Sequence, residues 1–469
     1  MQSQNNLVVL IDPPHFIPPR INPICLSCTA AWYALIMKIA VVGSGIAGLA
    51  AAHRLRGCAE LTLFEAGSYF GGHTHTVDIT LDTPQGPVTQ GVDTGFLVFN
   101  ERTYPHLIAL FAELGVATAR SDMSFSVQVP QTNRGGNLEW SGSTLSTVFA
   151  QRGNLLNPRF LRMLRDVLRF NHLATDLAQR NAEAELMQPL RSFLAQHQFS
   201  PEFSDWYLLP MLGCIWSCPT DQMLQFPVAT MVRFCHNHGL LQVTDRPQWW
   251  TVAGGARQYV EKIVSQIGDK RLNTAVTRIT RDGTGVQIHS KGQTEHFDQV
   301  VLACHSDQAL ALLGDASAAE RSTLGAIRYQ NNVAVLHTDT SVLPAKRRAW
   351  AAWNYERAAS VDKNSAQVCL HYLINMLQPL PFAQSVVVSL NPVRPIDPDL
   401  VHGRYDYTHP VFDVQAIQAQ QHLPALQGVQ NTYFCGAWAG YGFHEDGLKS
   451  GLDVAARILK QPPATGIPA

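Results

Sequence analysis

An α/β fold organised around a Rossmann-like βαβ unit is predicted for this chain of 469 residues, and three observations predict it. A strand, a glycine-punctuated turn and a helix follow one another between Lys38 and Glu65, and a second glycine-rich turn leads into a helix between Gly436 and Gly451. The length, with 46% hydrophobic residues, suffices for two or three packed lobes.

Taken in order, residues 1–36 differ from the rest. Pro13, Pro14, Pro18, Pro19 and Pro23 break any helix, and only Asp12 and Arg20 are charged. No basic start precedes the apolar part, which argues against a secretory signal. Met37 directly precedes the first strand, so residues 1–36 read as a disordered leader or a mis-assigned start. The uncharged stretch from Ile24 to Met37 is too short to span a bilayer, and no transmembrane helix is expected.

Ile39 to Val42 is a short apolar run fit for a buried parallel strand. Gly43 allows the tight turn after it, Gly45 removes the Cβ that would block a diphosphate, and Gly48 lets the helix pack on the strand. The helix starts at the phosphate, with Ile46 and Ala47 in its first turn, where free N–H groups and the helix dipole favour an anion. Leu61 to Phe64 is the second strand. Glu65 ends it, 22 positions after Gly43, where a carboxylate accepts hydrogen bonds from ribose hydroxyls and repels the extra phosphate of NADP.

Charge and cysteines narrow the partners. Lys and Arg number 35 against 36 Asp and Glu, so no basic field attracts nucleic acid. Nine scattered cysteines read as reduced thiols of a cytoplasmic protein. Cys25 and Cys28 have the spacing of half a zinc site, but Cys214 and Cys218 do not match it; His73 with His75, and His236 with His238, lack a third ligand. No metal is expected.

The run continues through Ala66 to Gly71, Gly72 and His73 in EAGSYFGGH. Together with GSGIAGL and the late GAWAGYGFHEDGLKSG, it resembles the FAD-containing amine oxidase superfamily, which includes phytoene desaturase-like and protoporphyrinogen oxidase-like enzymes. The resemblance covers most of residues 38–460 and implies FAD as cofactor. Relatives usually have Arg after the paired glycines, in contact with the FAD diphosphate; here it is His73, whose imidazole or backbone would replace part of that contact. The resemblance also implies that the loop with Thr94, Gly95 and Phe96 approaches the flavin, that Val276 contacts the adenine side, and that Gly436, Asp446, Gly447 and Leu448 bring a second helix N-terminus to the flavin pyrimidine. Covalent attachment is not indicated, since Cys435 lies in a strand and Tyr441 to His444 contain no cysteine.

The implied organisation is a Rossmann-like FAD-binding domain, residues 38–142, 247–310 and 427–461, interrupted by an α+β substrate-binding domain, residues 143–246 and 311–426. In the latter, Pro158 to Ala178 reads as a helix in which Arg159, Arg162, Arg165 and Arg169 flank Leu161, Leu164 and Leu168. That is either a solvated basic face or a peripheral membrane contact. Trp206, Tyr207, Trp216, Phe226 and Phe234 add aromatic mass suited to a core or to an apolar substrate tunnel.

WAAWNYE and HYLINMLQ resemble a bacterial subgroup described as NAD/FAD-binding or amine-oxidase-like, whose members often accompany genes for cyclopropane fatty-acid synthesis. A small-molecule substrate, fatty-acyl or isoprenoid, is therefore expected, with hydride transfer from a C–H bond to FAD. The alternatives are an FAD-dependent lipid isomerase or saturase, a true amine oxidase, and a flavin-binding protein without catalysis. Tyr372, Tyr441 and His444 are the candidates for facing the flavin.

Overall fold

The computed structural model describes residues 37–130, 137–180, 186–216, 219–242, 246–357 and 368–460. Residues 1–36, with Cys25 and Cys28, and Cys218 lie outside the described residues.

A five-stranded parallel sheet positions the site. Its strands lie in the order Asp269–Arg271, Glu60–Phe64, Lys38–Val42, Gln299–Leu302 and Thr432–Phe434. The central strands are apolar runs buried on both faces, as parallel strands covered by helices must be. On one face the helix Ile46–Leu55 packs against the C-terminal helix His444–Lys460. Gly451 permits that approach, because a Cβ there would meet the Ala47 carbonyl oxygen and, at 3.0 Å, Ala50 Cβ. The other face is covered by the helices Ser306–Leu312, Ala318–Leu324 and Val414–Leu426, whose Ala309, Leu324, Ala416 and Leu423 share one core with Ala40, Val42, Phe64 and Val300.

A seven-stranded mixed sheet forms the second large layer, in the order Val401–Val411, Arg328–His337, Val387–Leu390, Cys369–Leu373, Trp353–Glu356, Phe125–Pro130 and Asn137–Ser141. Smaller sheets complete the fold: the ribbon Thr76–Thr83 with Gly86–Asp93, the meander from Val276 to Phe297, and the trio Phe99–Asn100, Trp249–Val252 and Thr118–Ser121.

Four segments sit differently from the sequence-based division. Phe125–Pro130 and Asn137–Ser141, assigned there to the nucleotide-binding part, hydrogen-bond into the seven-stranded sheet. Ala318–Leu324 and Val414–Leu426, assigned to the substrate part, cover the parallel sheet because its second face needs apolar helices. Within 143–246 the described residues are helical and contain no strand.

The helix Pro158–Arg180 forms as expected, but its core face is Phe160, Met163, Phe170, Ala174 and Leu177. Leu161 and Leu168 point outward instead, at 43% and 61% exposure, while Leu164 is partly buried against the core. Arg159 reaches Glu202 at 3.5 Å, and Arg169 reaches Asp166 at 3.4 Å while lying over the Phe199 ring.

Candidate cofactor and substrate cleft

The carboxyl ends of four parallel strands converge on one cleft of about 740 Å³. Gly43 follows the first strand, Glu65 and Ala66 the second, Ala303 to His305 the fourth in the sheet, and Gly436 to Trp438 the last; all line it. A parallel sheet leaves its ligand crevice at this edge, where the strand order turns around.

The first turn has the required geometry. Gly43 sits at φ +103°, and a Cβ on it would lie 2.8 Å from the Ala303 carbonyl oxygen. At Gly45 a Cβ would meet no protein atom within 4 Å; the open space lies toward the cleft that Gly45 lines. No protein atom therefore requires glycine at position 45, and the open position leaves room for a ligand backbone to pass over it. Ile46 and Ala47 open the helix and line the same wall, so their first-turn N–H groups are available to an anion. Glu65 Oε2 accepts from the Ser44 N–H at 3.0 Å and the Ser44 hydroxyl at 2.5 Å, while Oε1 accepts from the Gly67 N–H at 2.7 Å. Oε1 keeps a lone pair for a ribose hydroxyl, while both lone pairs of Oε2 are taken by Ser44. The site thus fits a dinucleotide in its turn, its anion seat and its carboxylate.

Gly71, Gly72 and His73 run beside this turn, with Gly71 bridged to Gly45. His73 and His75 are not on one strand face: the strand starts at Thr76, His73 faces His305 and His409, and His75 stacks on Tyr69. Thr94, Gly95, Phe96 and Val276 line the cleft. Phe96 stacks on His444 with centroids 3.8 Å apart. The His444 Nε2 meets the Tyr259 hydroxyl at 2.7 Å, and burial pushes its imidazole down to about 3, so the ring is neutral. A chain from Thr74 through Tyr259 to His444 fixes its orientation.

Gly48, Asp446, Gly447 and Leu448 lie outside the cleft wall. The C-terminal helix starts at His444, so position 447 is already inside it and the Gly447 N–H is taken by the Phe443 carbonyl at 3.1 Å. Asp446 instead accepts from the Tyr441 and Phe443 N–H groups at 3.1 and 3.0 Å, which closes the preceding turn; burial pushes its carboxyl up to about 6. Leu448 is core. Gly436 does line the cleft, but its N–H is used by the Ser450 hydroxyl at 2.9 Å. Residues nearer the glycine loop, Ala437, Tyr441 and Phe443, form this wall.

The deep end is apolar. Met123, Trp216, Phe234, Trp353, Val388 and Leu390 line it together with Tyr372, which packs edge-on against Trp353 at 5.1 Å. Strand alternation puts Tyr372 on this side and His371 on the far side, where it meets Glu356 at 2.9 Å and Ser389 at 2.6 Å. The Nε1 atoms of Trp216 and Trp353 are buried without a hydrogen-bond partner. His238 Nδ1 donates to the Phe234 carbonyl at 3.0 Å, and burial pushes the imidazole down to about 4. Among the described residues lining the cleft, Glu65 is the one carboxylate and no lysine or arginine occurs.

The sequence profile of flavin-containing amine oxidoreductases matches residues 46–459. The chain belongs to that family. Its members are FAD-binding oxidoreductases, in accord with the family, fold class and cofactor expected from the sequence. AofH of Mycobacterium tuberculosis, provisionally named a flavin-containing monoamine oxidase, is 27% identical over 277 residues, 55% of each chain. The match therefore spans about half the length of that curated relative. Putrescine oxidase superposes with a TM-score of 0.62 at 16% identity, over 91% of this chain and 100% of the other. The CLA-producing fatty acid isomerase from P. acnes superposes with a TM-score of 0.60 at 18% identity, over 90% and 98%. At these identities the likeness is one of fold.

Proposed function

We propose that this family member accepts hydride from a C–H bond of an apolar, oxygen-bearing substrate such as a fatty-acyl or isoprenoid molecule. Gly43, Gly45, Ile46, Ala47, His73 and Glu65 would hold the diphosphate and ribose of FAD, Thr94 to Phe96 would approach the flavin, and Val276 would contact the adenine side. When bound, the flavin supplies the hydride-accepting ring. The protein's part is to orient the substrate and exclude water.

The observation that carries the substrate class is the uncharged deep end with its two unpartnered indole N–H groups. A protonated amine entering there would have no carboxylate to pair with, and burying an unpaired charge is costly. An uncharged carbonyl or protonated carboxyl oxygen would instead satisfy the Trp216 or Trp353 donor. Fold likeness does not choose, since an amine oxidase and a fatty acid isomerase superpose about equally well. Anaerobic mixing of the flavoprotein with unsaturated fatty acids, isoprenoids and primary amines tests the reading. Bleaching of the flavin bands by an acyl or isoprenoid compound is expected, and Trp216→Phe should raise KM about fivefold to tenfold with little change in kcat. Faster bleaching by amines overturns it. Product formation without oxygen consumption would select the isomerase form of the same chemistry.

The outward stripe of Pro158–Arg180 supports peripheral contact with anionic lipid. Leu156, 89% exposed, lies in the turn that packs against the helix start, and Leu161 and Leu168 continue along the surface among arginines. No described helix is long and apolar enough to cross a membrane. Sedimentation with phosphatidylglycerol vesicles is expected for the wild type and should fall about tenfold in Leu156→Asp/Leu161→Asp; equal binding by both proteins removes the contact.

A further inference from the structure

We propose that His73, His305 and His409 form a proton-loaded seat for the FAD diphosphate, so that cofactor binding takes up a proton. This rests on the diphosphate lying at the Gly43–Gly45 turn. Three elements distant in sequence bring the rings there. Gly71 bridges Gly45, and a Cβ on Gly72 would lie 3.2 Å from Gly45 Cα, which places His73 one residue from the turn. His305 comes from the other side, two residues after Ala303, the residue that abuts Gly43. His409 arrives from the seven-stranded sheet. The ring centroid of His73 lies 5.3 Å from that of His409 and 6.2 Å from that of His305.

His73 and His409 each have one partner, the Thr408 backbone and Asn332, and one further ring nitrogen. His73 Nε2 is buried without a partner. His409 Nδ1 is held by the Asn332 amide at 2.9 Å, which leaves its Nε2. A diphosphate brings negative charge into a cleft whose described lining has no lysine or arginine, so these imidazoles are the side chains able to supply a compensating cation.

In the cleft as it stands the rings are neutral. Burial first, and then repulsion from His409, His305 and His444, hold His73 well below the usual histidine range. Burial and His305 push His409 down to about 4, and burial lowers His305 against the pull of Asp307. The other titratable groups facing the cluster are Tyr407 and Tyr329, held protonated by burial; Cys304, pushed up to about 12; neutral His444; and the carboxylates Asp307 and Glu65. None of them supplies a cation near neutral pH. An arriving dianion raises the histidine pKa values, so the complex holds more protons than the free protein. Affinity is then highest on the acid side and falls as pH rises through the raised value.

Titration of the full chain with FAD between about pH 6 and 8.5, followed by quenching of flavin fluorescence, tests this. Uptake of about one proton weakens Kd about tenfold per pH unit, and calorimetry in two buffers of different ionisation enthalpy counts the proton directly. His73→Arg, which carries a permanent charge, should retain affinity and flatten the pH dependence; His73→Leu should weaken binding most at low pH. A Kd independent of pH with no proton uptake by the wild type overturns the proposal. Retention of FAD by Gly45→Val would refute the diphosphate placement instead, and the histidine seat with it.

Discussion

Gly45→Val leaves the protein folded and removes its flavin. The Cβ of residue 45 points where no protein atom lies within 4 Å, and the residue's φ of −63° and ψ of 174° are open to any side chain. The substitution should change stability by no more than about 1 kcal/mol, the scale of an altered helix N-cap. Whatever passes over that position meets the new methyl groups. FAD affinity should fall by at least about a hundredfold, or ~3 kcal/mol, since the backbone approach to the diphosphate is closed. Flavin absorbance per protein after purification and a thermal unfolding curve measure the two effects separately. A variant that purifies with a full complement of flavin would show that the diphosphate lies elsewhere.

That outcome bears on what could be read from the chain itself. Gly43, Gly45 and Glu65 were legible because one βαβ unit fixes their relations locally: the turn, the open approach and the strand end are set by spacing alone. His305 carried a weaker signal, as the residue that follows the buried run QVVLAC at the edge where parallel strands present ligand contacts. His409 carried none, since it sits near the end of an 11-residue strand whose sheet neighbour, rather than its own sequence, turns it to the cleft. The C-terminal block was read about two residues out of phase. Its helix begins at His444, which converts Asp446 from an expected cofactor contact into a turn-closing carboxylate and Gly447 into a packing glycine, with Ile46 Cγ2 2.8 Å from its would-be Cβ.

The helix Pro158–Arg180 failed for a different reason. Leu161, Leu164 and Leu168, and the set Phe160, Met163, Phe170, Ala174 and Leu177, both recur at helical intervals of three, four or seven residues, so periodicity could not choose between the stripes. Tertiary packing chose the aromatic one, which meets Trp140, Phe199 and Phe203. The same limit applies to the deep end of the cleft. Trp353 and Tyr372 are cross-strand partners in a sheet whose strands arrive from both halves of the chain, and no local pattern announces that pairing.

Gly48→Ala should have the opposite signature to the change three residues before it. Its Cβ would fall on the Gly43 carbonyl oxygen, with Ala303 Cβ a further 3.1 Å contact, and neither is the free end of a flexible side chain. The helix could relieve the clash only by moving off the strand. It is held there, because Ile46 to His53 are all buried and the Ala47 carbonyl is already in close contact with Gly451. A cost of about 3 kcal/mol is expected, at the upper end of overpacking penalties, and it should lower Tm by roughly 3 °C in a chain of this size. Excess FAD separates the two variants. At about a hundred times its Kd a ligand that binds only the native state stabilises by about 2.7 kcal/mol, so FAD should restore most of the lost Tm in Gly48→Ala and none in Gly45→Val. If FAD fails to raise the Tm of Gly48→Ala, residue 48 touches the cofactor as well as the strand, and the turn holds its ligand one helical residue deeper than its wall suggests.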